Sequence, residues 1–302
     1  MARAAMAYMN KSLGLSMGKV AGCLRTLWGL EVTRGGVSQA IASAGDRCAG
    51  AYREIVAAVN ASGQVTPDET GWRVGGAGAW LHAVATKDAK GGVRAYVVDR
   101  ARGKDATERL ISEGYAGVMV HDGWSPYDRY TRAAHQQCLA HLLRRCGEMA
   151  EVAAAGARAF PRTVKGMLLK ALDLRDERDR GERSPRSTKI QATKLTNAIR
   201  AASKPRKTNP ANERLAGFLY RHADDLFTFL RREGVDATNW RGEHAIRGAV
   251  VNRKVWGGNR TWRGAETQAV LMSVLNTLDL RGMDTVDWLR RTLLHQNPPL
   301  LA

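Results

Sequence analysis

Three carboxylates, far apart in the chain, have the residue type and the flanking sequence that metal-assisted phosphodiester chemistry requires. Asp122 follows a short apolar run at 117–121 and precedes a glycine, which predicts an acid at the end of a buried strand. Asp68 precedes a series of strand-like segments, and Glu243 lies in a helical pattern. Three such acids could hold two divalent cations about 3.5–4 Å apart. Acids at strand ends and helix starts are also common turn formers and caps, so placement alone leaves both interpretations open.

Other acids compete for the same role. Glu69 adjoins Asp68, and neighbours on a strand point to opposite faces, so we favour Asp68 for the site and expect Glu69 to be structural. Asp99, Asp105 and Asp128 lie in polar surroundings that are typical of a solvated face.

The charge of the chain favours a polyanionic partner. Its 302 residues include 47 Lys and Arg against 29 Asp and Glu, a formal net charge of +18. Residues 158–207 hold 15 basic and five acidic residues, so the excess is concentrated there. Such an excess raises affinity for nucleic acid through counterion release. A generally basic proteome is the alternative explanation.

Composition also indicates the compartment. The four cysteines are too few and too scattered for a disulfide framework, which favours a reducing interior. The chain contains no apolar run of roughly 18 residues that could cross a membrane and no apolar segment of a signal peptide at its start. We therefore expect a soluble cytoplasmic protein, associated with the nucleoid and not with a membrane.

The first 62 residues have a helical pattern. Residues 16–28 follow helical spacing up to Gly29, and Thr33 is a good N-cap for a second helix that carries Arg34, Ser38 and Gln39 near its start. This outline is that of a helix-turn-helix that contacts DNA. A helical hairpin packed on the next domain fits the pattern equally well.

The next segments alternate with period two. Strands are predicted around Asp68, over 79–86 and over 92–100, with a hairpin turn at 90–92, then a helix over 104–114 and the strand ending before Asp122. That order is the order of a ribonuclease H-like core. We expect a mixed α/β fold with a helical region at 1–62, core segments at 63–155 and 236–302, and a basic helical insertion at 156–235.

Three segments resemble bacterial DDE transposases of the insertion sequence sixty-six family: PDETGWRV at 67–74, CLAHLLRR at 138–145 and RKVWGGNRTWRGA at 253–265. The similarity extends over about 16–294. It implies a ribonuclease H-like fold with a helical insertion, catalytic and metal-binding roles for Asp68, Asp122 and Glu243, and two Mg²⁺ or Mn²⁺ ions. The segment around Glu243, TNWRGEHAIR at 238–247, departs from the family pattern at Trp240, usually asparagine, and at His244, usually arginine.

Cys138 and His141 form a Cys-x-x-His pair, flanked by His135 and Cys146. Four such residues could bind zinc, but their spacing does not match that of paired zinc knuckles. Buried packing is the alternative. The family resemblance implies a structural or substrate-side role close to the site.

Basic residues are dense around these motifs, and arginine binds phosphate through its bidentate fork. Any single one could equally belong to a solvated face. Trp256 and Trp262 could stack on unpaired DNA or pack on their own domain. The DNA-binding candidates are Arg144, Arg145, Arg247, Arg253, Lys254, Arg260 and Arg263.

The resemblance implies a metal-dependent transposase that cuts the ends of an insertion sequence and joins them to target DNA. Double-stranded DNA is then the substrate, a homo-oligomer is expected by analogy, and accessory transposition proteins are possible partners. Two alternatives stay open. The first is a remnant that binds DNA without catalysis, since the resemblance implies that this chain begins after the family's amino-terminal zinc-binding segment. The second is a ribonuclease H-like nuclease.

Overall fold

The computed structural model describes residues 1–88, 91–204, 206–296 and 298–301, so Lys90 of the predicted turn lies outside the described residues. The chain forms two units: unit 1 joins Met1–Tyr115 to Trp240–Ala302, and unit 2 is Ala116–Asn239. The strands are β1 (Gln64–Val74), β2 (Ala77–Thr86), β3 (Arg94–Asp99), β4 (Val118–His121) and β5 (Ala134–Gln137). The helices are α1 (Ala2–Lys11), α2 (Met17–Trp28), α3 (Arg34–Ala61), α4 (Lys104–Glu108), α5 (Leu139–Val152), α6 (Ala159–Asp179), α7 (Pro185–Ser203), α8 (Pro210–Arg221), α9 (Thr228–Arg231), α10 (Trp240–Trp256), α11 (Trp262–Leu280) and α12 (Thr285–Leu293).

Unit 1 is built on an antiparallel meander of β1, β2 and β3, as the alternating segments predicted. Asp68 of β1 is paired with Ala83 of β2. The residues of β3 from Arg94 to Val98 are all buried, so this strand does not have one solvated face. It is covered by α3 and α11, and its apolar content reflects burial on both faces.

Helix α11 also satisfies the backbone of β3. The amide of Tyr96 donates to the hydroxyl of Ser273 at 2.9 Å, and the amide of Arg94 donates to the hydroxyl of Thr277 at 3.1 Å. These hydroxyls are one helical turn apart on α11, so they match alternate amides of the strand. The helix thereby protects strand amides that would otherwise form an open edge.

The helix-turn-helix outline at the start of the chain forms, and Thr33 caps α3 as predicted. The hydroxyls of Ser16 and Thr33 accept hydrogen bonds from amides in the first turns of α2 and α3, and Gly29 ends α2 in a left-handed conformation. Helix α3 then continues for 28 residues and packs on α11. A Cβ atom at Gly45 would lie 2.9 Å from Cγ2 of Thr267, so a glycine is needed where the two helices meet.

Some boundaries differ from those expected. Helix α4 ends at Glu108 instead of 114, because the amides of Leu110 and Ile111 both turn back to the carbonyl of Thr107. Helix α1 lies within the region that was expected to be helical, although its bounds were not predicted. Asn239 precedes α10 and is a residue type that often caps helices, but its side-chain oxygen accepts no hydrogen bond from the described residues.

Unit 2 joins a parallel pair of strands to a helical region. Val118 to His121 of β4 lie opposite Ala134 to Gln137 of β5. Helices α5 to α9 surround a core that includes Val120, Leu142, Leu168 and Phe229. The chain is thus a mixed α/β protein, with antiparallel strands in one unit and parallel strands in the other. In the described residues, every helix is too short or too polar to cross a lipid bilayer.

Candidate functional site

Asp68 is half-buried on β1, and its Oδ1 accepts a hydrogen bond from the amide of Glu69 at 2.9 Å. The side chain of Glu69 is 3% exposed and forms an ion pair with Arg102 at 2.6 Å. The guanidinium of Arg102 also lies 4.9 Å from the ring centroid of Trp80. Glu69 is therefore engaged in a structural contact on its side of the strand.

The start of α10 lies against β1 at Asp68. A Cβ atom at Gly242 would be 3.0 Å from the Cβ of Asp68 and 3.1 Å from the carbonyl oxygen of Thr66. Only glycine allows such a close approach without displacing the strand or the helix. The next residue, Glu243, is exposed in the first turn of α10. The structure thus brings the segments of two of the three predicted acids together within unit 1.

The loop after α10 is fixed to β1 by Asn259. Its side-chain oxygen accepts from the indole nitrogen of Trp72 at 2.8 Å, its amide donates to the carbonyl of Arg73 at 2.9 Å, and its side-chain nitrogen donates to the carbonyl of Gly264 at 3.0 Å. Arg253 donates to the carbonyl of Gly71 in the same strand. The 253–265 motif therefore serves in part to hold α10 and the following loop on β1.

Asp122 belongs to unit 2 and is exposed directly after β4. Its Oδ1 accepts from the amide of Trp124 at 3.0 Å, which closes a tight turn. Gly123 has a φ of 90°, and a Cβ atom there would lie 2.9 Å from the ring of Phe218. The glycine after the acid is thus required both by the backbone and by close packing.

A pair of histidines supports the backbone beside Asp122. The amide of Gly123 donates to Nδ1 of His121 at 3.2 Å, Nε2 of His121 lies 2.9 Å from Nδ1 of His135, and Nε2 of His135 lies 3.1 Å from the carbonyl oxygen of Tyr130. This chain is satisfied when both rings are neutral and protonated on Nε2. Burial, and next the neighbouring His135 and His222, lower the pKa of His121 well below its usual value. The network therefore requires His121 to be neutral.

The residue types at Asp68 and Glu243 suit magnesium, which takes one or two carboxylates and completes its shell with water and substrate phosphate. In the part of the chain that the structure describes, no three His, Cys, Asp or Glu side chains are grouped closely enough to hold a metal ion by themselves. The same finding covers the candidate zinc ligands around Cys138.

Cys138 and His141 stand at the start of α5. Cys138 is 2% exposed, and its Sγ accepts from the amide of Asn239 at 3.3 Å. Cys146 lies in the core of unit 2, where burial raises the pKa of its thiol to about 11. A buried, protonated thiol packs as a small apolar residue.

The predicted DNA-binding residues occupy different environments. The exposed candidates are Arg144, Arg247, Lys254, Arg260 and Arg263, and the half-buried ones are Arg145 and Arg253.

The two departures from the family motif lie at the start of α10. Nδ1 of His244 lies 2.8 Å from the buried guanidinium of Arg94, and Trp240 is 47% exposed beneath the guanidinium of Arg241. Burial, followed by the charges of Arg94 and Arg247, lowers the pKa of His244. A neutral imidazole accepts a hydrogen bond from Arg94 here, which an arginine at the same position could not do.

Sequence reasoning did not identify three positioning residues. Gly242 allows α10 to approach β1 closely, which only the structure reveals. Its position directly before Glu243 could have drawn attention to it in the sequence. His121 and His135 are 14 residues apart, and only the pairing of β4 with β5 makes them neighbours.

Comparison with known sequences supports the class of protein that these segments suggest. The sequence profile described as "Transposase IS66 family" matches residues 2–267. The chain belongs to this family, whose members are transposases. It is also 27% identical over 240 residues to the "Uncharacterized protein y4qI" of Sinorhizobium fredii. The match covers 71% of this chain and 43% of that protein, so the chain spans less than half the length of this curated relative.

Proposed function

We propose that the chain provides the catalytic region of a DDE transposase, which cuts DNA strands at the ends of an insertion sequence and transfers them to target DNA. The observation that carries the proposal is the contact of α10 with β1 at Asp68, through Gly242, in a chain of the IS66 family. This contact supports the assignment of Asp68 and Glu243 as a metal-binding pair. The order of strands and helices along the chain supports a ribonuclease H-like core.

Asp68, Asp122 and Glu243 would together hold Mg²⁺ or Mn²⁺, with the DNA phosphate as a further ligand. Bound divalent ions would make the attacking oxygen more nucleophilic and stabilise the leaving oxygen. Glu69 would take no part, because it is paired with Arg102. The histidines behind Gly123 would keep the Asp122 turn in one conformation, and so hold its carboxylate in place.

The reaction consists of two displacements at phosphorus. Water first cuts one strand and leaves a 3′-hydroxyl at the end of the element. That hydroxyl then attacks a target phosphodiester, forms a new phosphodiester and releases a target 3′-hydroxyl. The number of phosphodiester bonds is conserved in the second step, so no external energy source is needed.

The basic surfaces would hold the DNA. The helical insertion at 156–235 carries a concentrated positive charge, and α10 and the loop after it expose Arg247, Lys254 and Arg260. Such groups bind the phosphate backbone without reading sequence, and their contribution declines with salt. The helices at 1–62 would add a further DNA contact, and the protein would act as a homo-oligomer on paired ends.

The test is Asp68→Asn in a cleavage and joining assay with labelled insertion-sequence ends and Mg²⁺ or Mn²⁺. The substitution keeps the shape of the side chain and removes its charge, so we expect cleavage to fall by about a thousandfold or more while salt-sensitive DNA binding is retained. Asp105→Asn, an exposed acid in α4, is the matched control and should cleave normally.

Each product pattern selects one function. Cleavage followed by joining supports a transposase, cleavage without joining indicates a nuclease, and binding alone indicates a protein without catalysis. Retained cleavage by Asp68→Asn would remove that residue from the mechanism.

A further inference from the structure

A second site in unit 1 lies where the first turns of three helices meet. A cavity of about 720 Å³ is lined by Met17 and Gly18 of α2, Arg34 and Gly35 of α3, and Gly264 of α11, with Thr261 at its cap. Cavities that bind small molecules typically measure about 300–1,000 Å³. This cavity is therefore large enough for a ligand with several functional groups.

The helix termini make the cavity electropositive. The first turns of α2, α3 and α11 contain no acidic residue. Each N-cap hydroxyl accepts one amide, from Lys19, Gly36 and Gly264 respectively. The positive ends of three helix dipoles thus border one space, and no first-turn carboxylate offsets them.

Basic side chains add to this field. Arg34, Arg260, Arg263 and Lys11 line the cavity, and its lining contains no acid among the described residues. Arg263 is partly neutralised by Asp46 at 3.3 Å, in a pair that is largely exposed. The remaining cations face the cavity without such a partner in its wall, which favours an anionic ligand.

Lys11 is the most unusual of these residues. It is 5% exposed, donates to the side-chain oxygen of Gln268, and lies 5.4 Å from the ring centroid of Trp256. Burial lowers the pKa of its ammonium group to about 7. An anion in the cavity would stabilise the charged form and raise that pKa.

Asn10 and Trp256 also line the cavity, and each carries a polar atom without a hydrogen-bond partner among the described residues. Asn10 is 2% exposed, and its Oδ1 accepts no hydrogen bond from the described residues. The indole nitrogen of Trp256 is also buried and donates to none of them. A buried acceptor needs a donor and a buried donor needs an acceptor, so a simple oxyanion cannot satisfy both. A nucleotide offers phosphate oxygens, sugar hydroxyls and base amino groups.

We propose that this cavity binds one nucleotide unit of a DNA strand, with its phosphate at the three helix termini and its sugar or base against Asn10 and Trp256. The site does not depend on catalysis by Asp68, Asp122 and Glu243. It would accept an unpaired nucleotide at a strand end, since a base inside a duplex cannot enter a cavity.

The experiment is calorimetric titration of the full chain with four probes: inorganic phosphate, deoxyadenosine monophosphate, a duplex with an unpaired terminal nucleotide and a blunt duplex. We expect the mononucleotide to bind more tightly than phosphate and to compete with the unpaired duplex more than with the blunt one. Arg34→Gln should weaken nucleotide binding about tenfold to a hundredfold, the loss expected for a charged hydrogen bond. Arg25→Gln, an exposed arginine of α2 away from the cavity, should bind as the wild type does.

A second measurement follows Lys11 directly. Its pKa, measured by NMR after specific labelling, should rise when the mononucleotide binds, and Lys11→Met should bind more weakly. Absence of mononucleotide binding would overturn the proposal, as would equal losses in Arg34→Gln and Arg25→Gln. Phosphate binding as tight as that of the mononucleotide would reduce the cavity to an inorganic anion site. Asp68→Asn should bind the mononucleotide normally, which separates this outcome from a failure of the cleavage proposal.

Discussion

Unit 1 uses the positive ends of its helices in two opposite ways. The first turn of α10 carries Glu243 and lies against β1 at Asp68. The first turns of α2, α3 and α11 carry no acid and surround a cavity that contains Lys11 and Arg34. The contact of α10 with β1 therefore has acidic residues, which favour binding of a cation. The cavity has helix N-termini without acidic residues, which favours binding of an anion. Phosphoryl chemistry on DNA requires both kinds of surface.

Gly242→Ala should disrupt the contact of α10 with β1 beside Asp68 and Glu243. The added methyl group would be 3.0 Å from the Cβ of Asp68, so the strand or the helix must shift. We expect unfolding free energy to fall by roughly 1–3 kcal/mol, as in overpacked cores, and strand cleavage to fall about a hundredfold, since small misplacements have such effects. Thermal unfolding and the cleavage assay measure the two quantities.

Gly248→Ala is the matched control for Gly242→Ala. Both glycines are in α10, but a Cβ atom at Gly248 would meet nothing within 4 Å. Alanine is the better helix former, so this variant should be more stable by up to about 1 kcal/mol and fully active. Equal behaviour of the two variants would show that the contact of α10 with β1 is unimportant.

Lys11→Met should stabilise the protein at neutral pH by roughly 1–3 kcal/mol. The pKa of Lys11 falls from 10.5 to about 7 on folding. As pH falls from 10.5 towards 7, the unfolded chain binds a proton that the folded protein does not, and stability is lost across this window. The full shift corresponds to several kcal/mol, and loss of the contact with Gln268 offsets part of the gain.

Denaturant unfolding at several pH values tests this prediction. The stability difference between Lys11→Met and the wild type should be largest near pH 7 and should shrink as pH approaches 10.5. Added mononucleotide should narrow the difference at pH 7 by stabilising the wild type more than Lys11→Met. If the stability difference between Lys11→Met and the wild type does not change with pH, folding does not lower the pKa of Lys11.

The sequence was sufficient for the elements whose patterns are local. Period two marked the three strands of the meander, and the N-cap Thr33 marked the start of α3. At the start of α12, the Asp284 side chain accepts from the amide of Asp287 at 2.9 Å, while the Asp287 carboxylate accepts from Arg290. Side chain and backbone partner lie within three residues in each cap, so no tertiary information was needed.

The parts that could not be predicted depend on contacts between distant segments. The closeness of Gly242 to Asp68 joins residues 174 positions apart. The cavity is bordered by three helix starts whose common position follows from packing and not from any motif. Likewise, the local pattern of β3 does not reveal that Arg94 is buried, where Asn276 and His244 of other helices accept its hydrogen bonds.

Arg263→Gln should change stability and DNA affinity least among these variants. It tests whether a basic residue of the cavity contacts DNA. Its ion pair with Asp46 joins side chains that are 74% and 65% exposed, so its loss should change unfolding free energy by less than about 1 kcal/mol. The same residue lines the cavity and would neutralise one phosphate. The slope of the logarithm of DNA affinity against the logarithm of salt concentration should therefore decrease by about one. An unchanged slope, measured beside Arg25→Gln, would place Arg263 outside the DNA contact and leave Arg34, Arg260 and Lys11 as the cations that face a nucleotide.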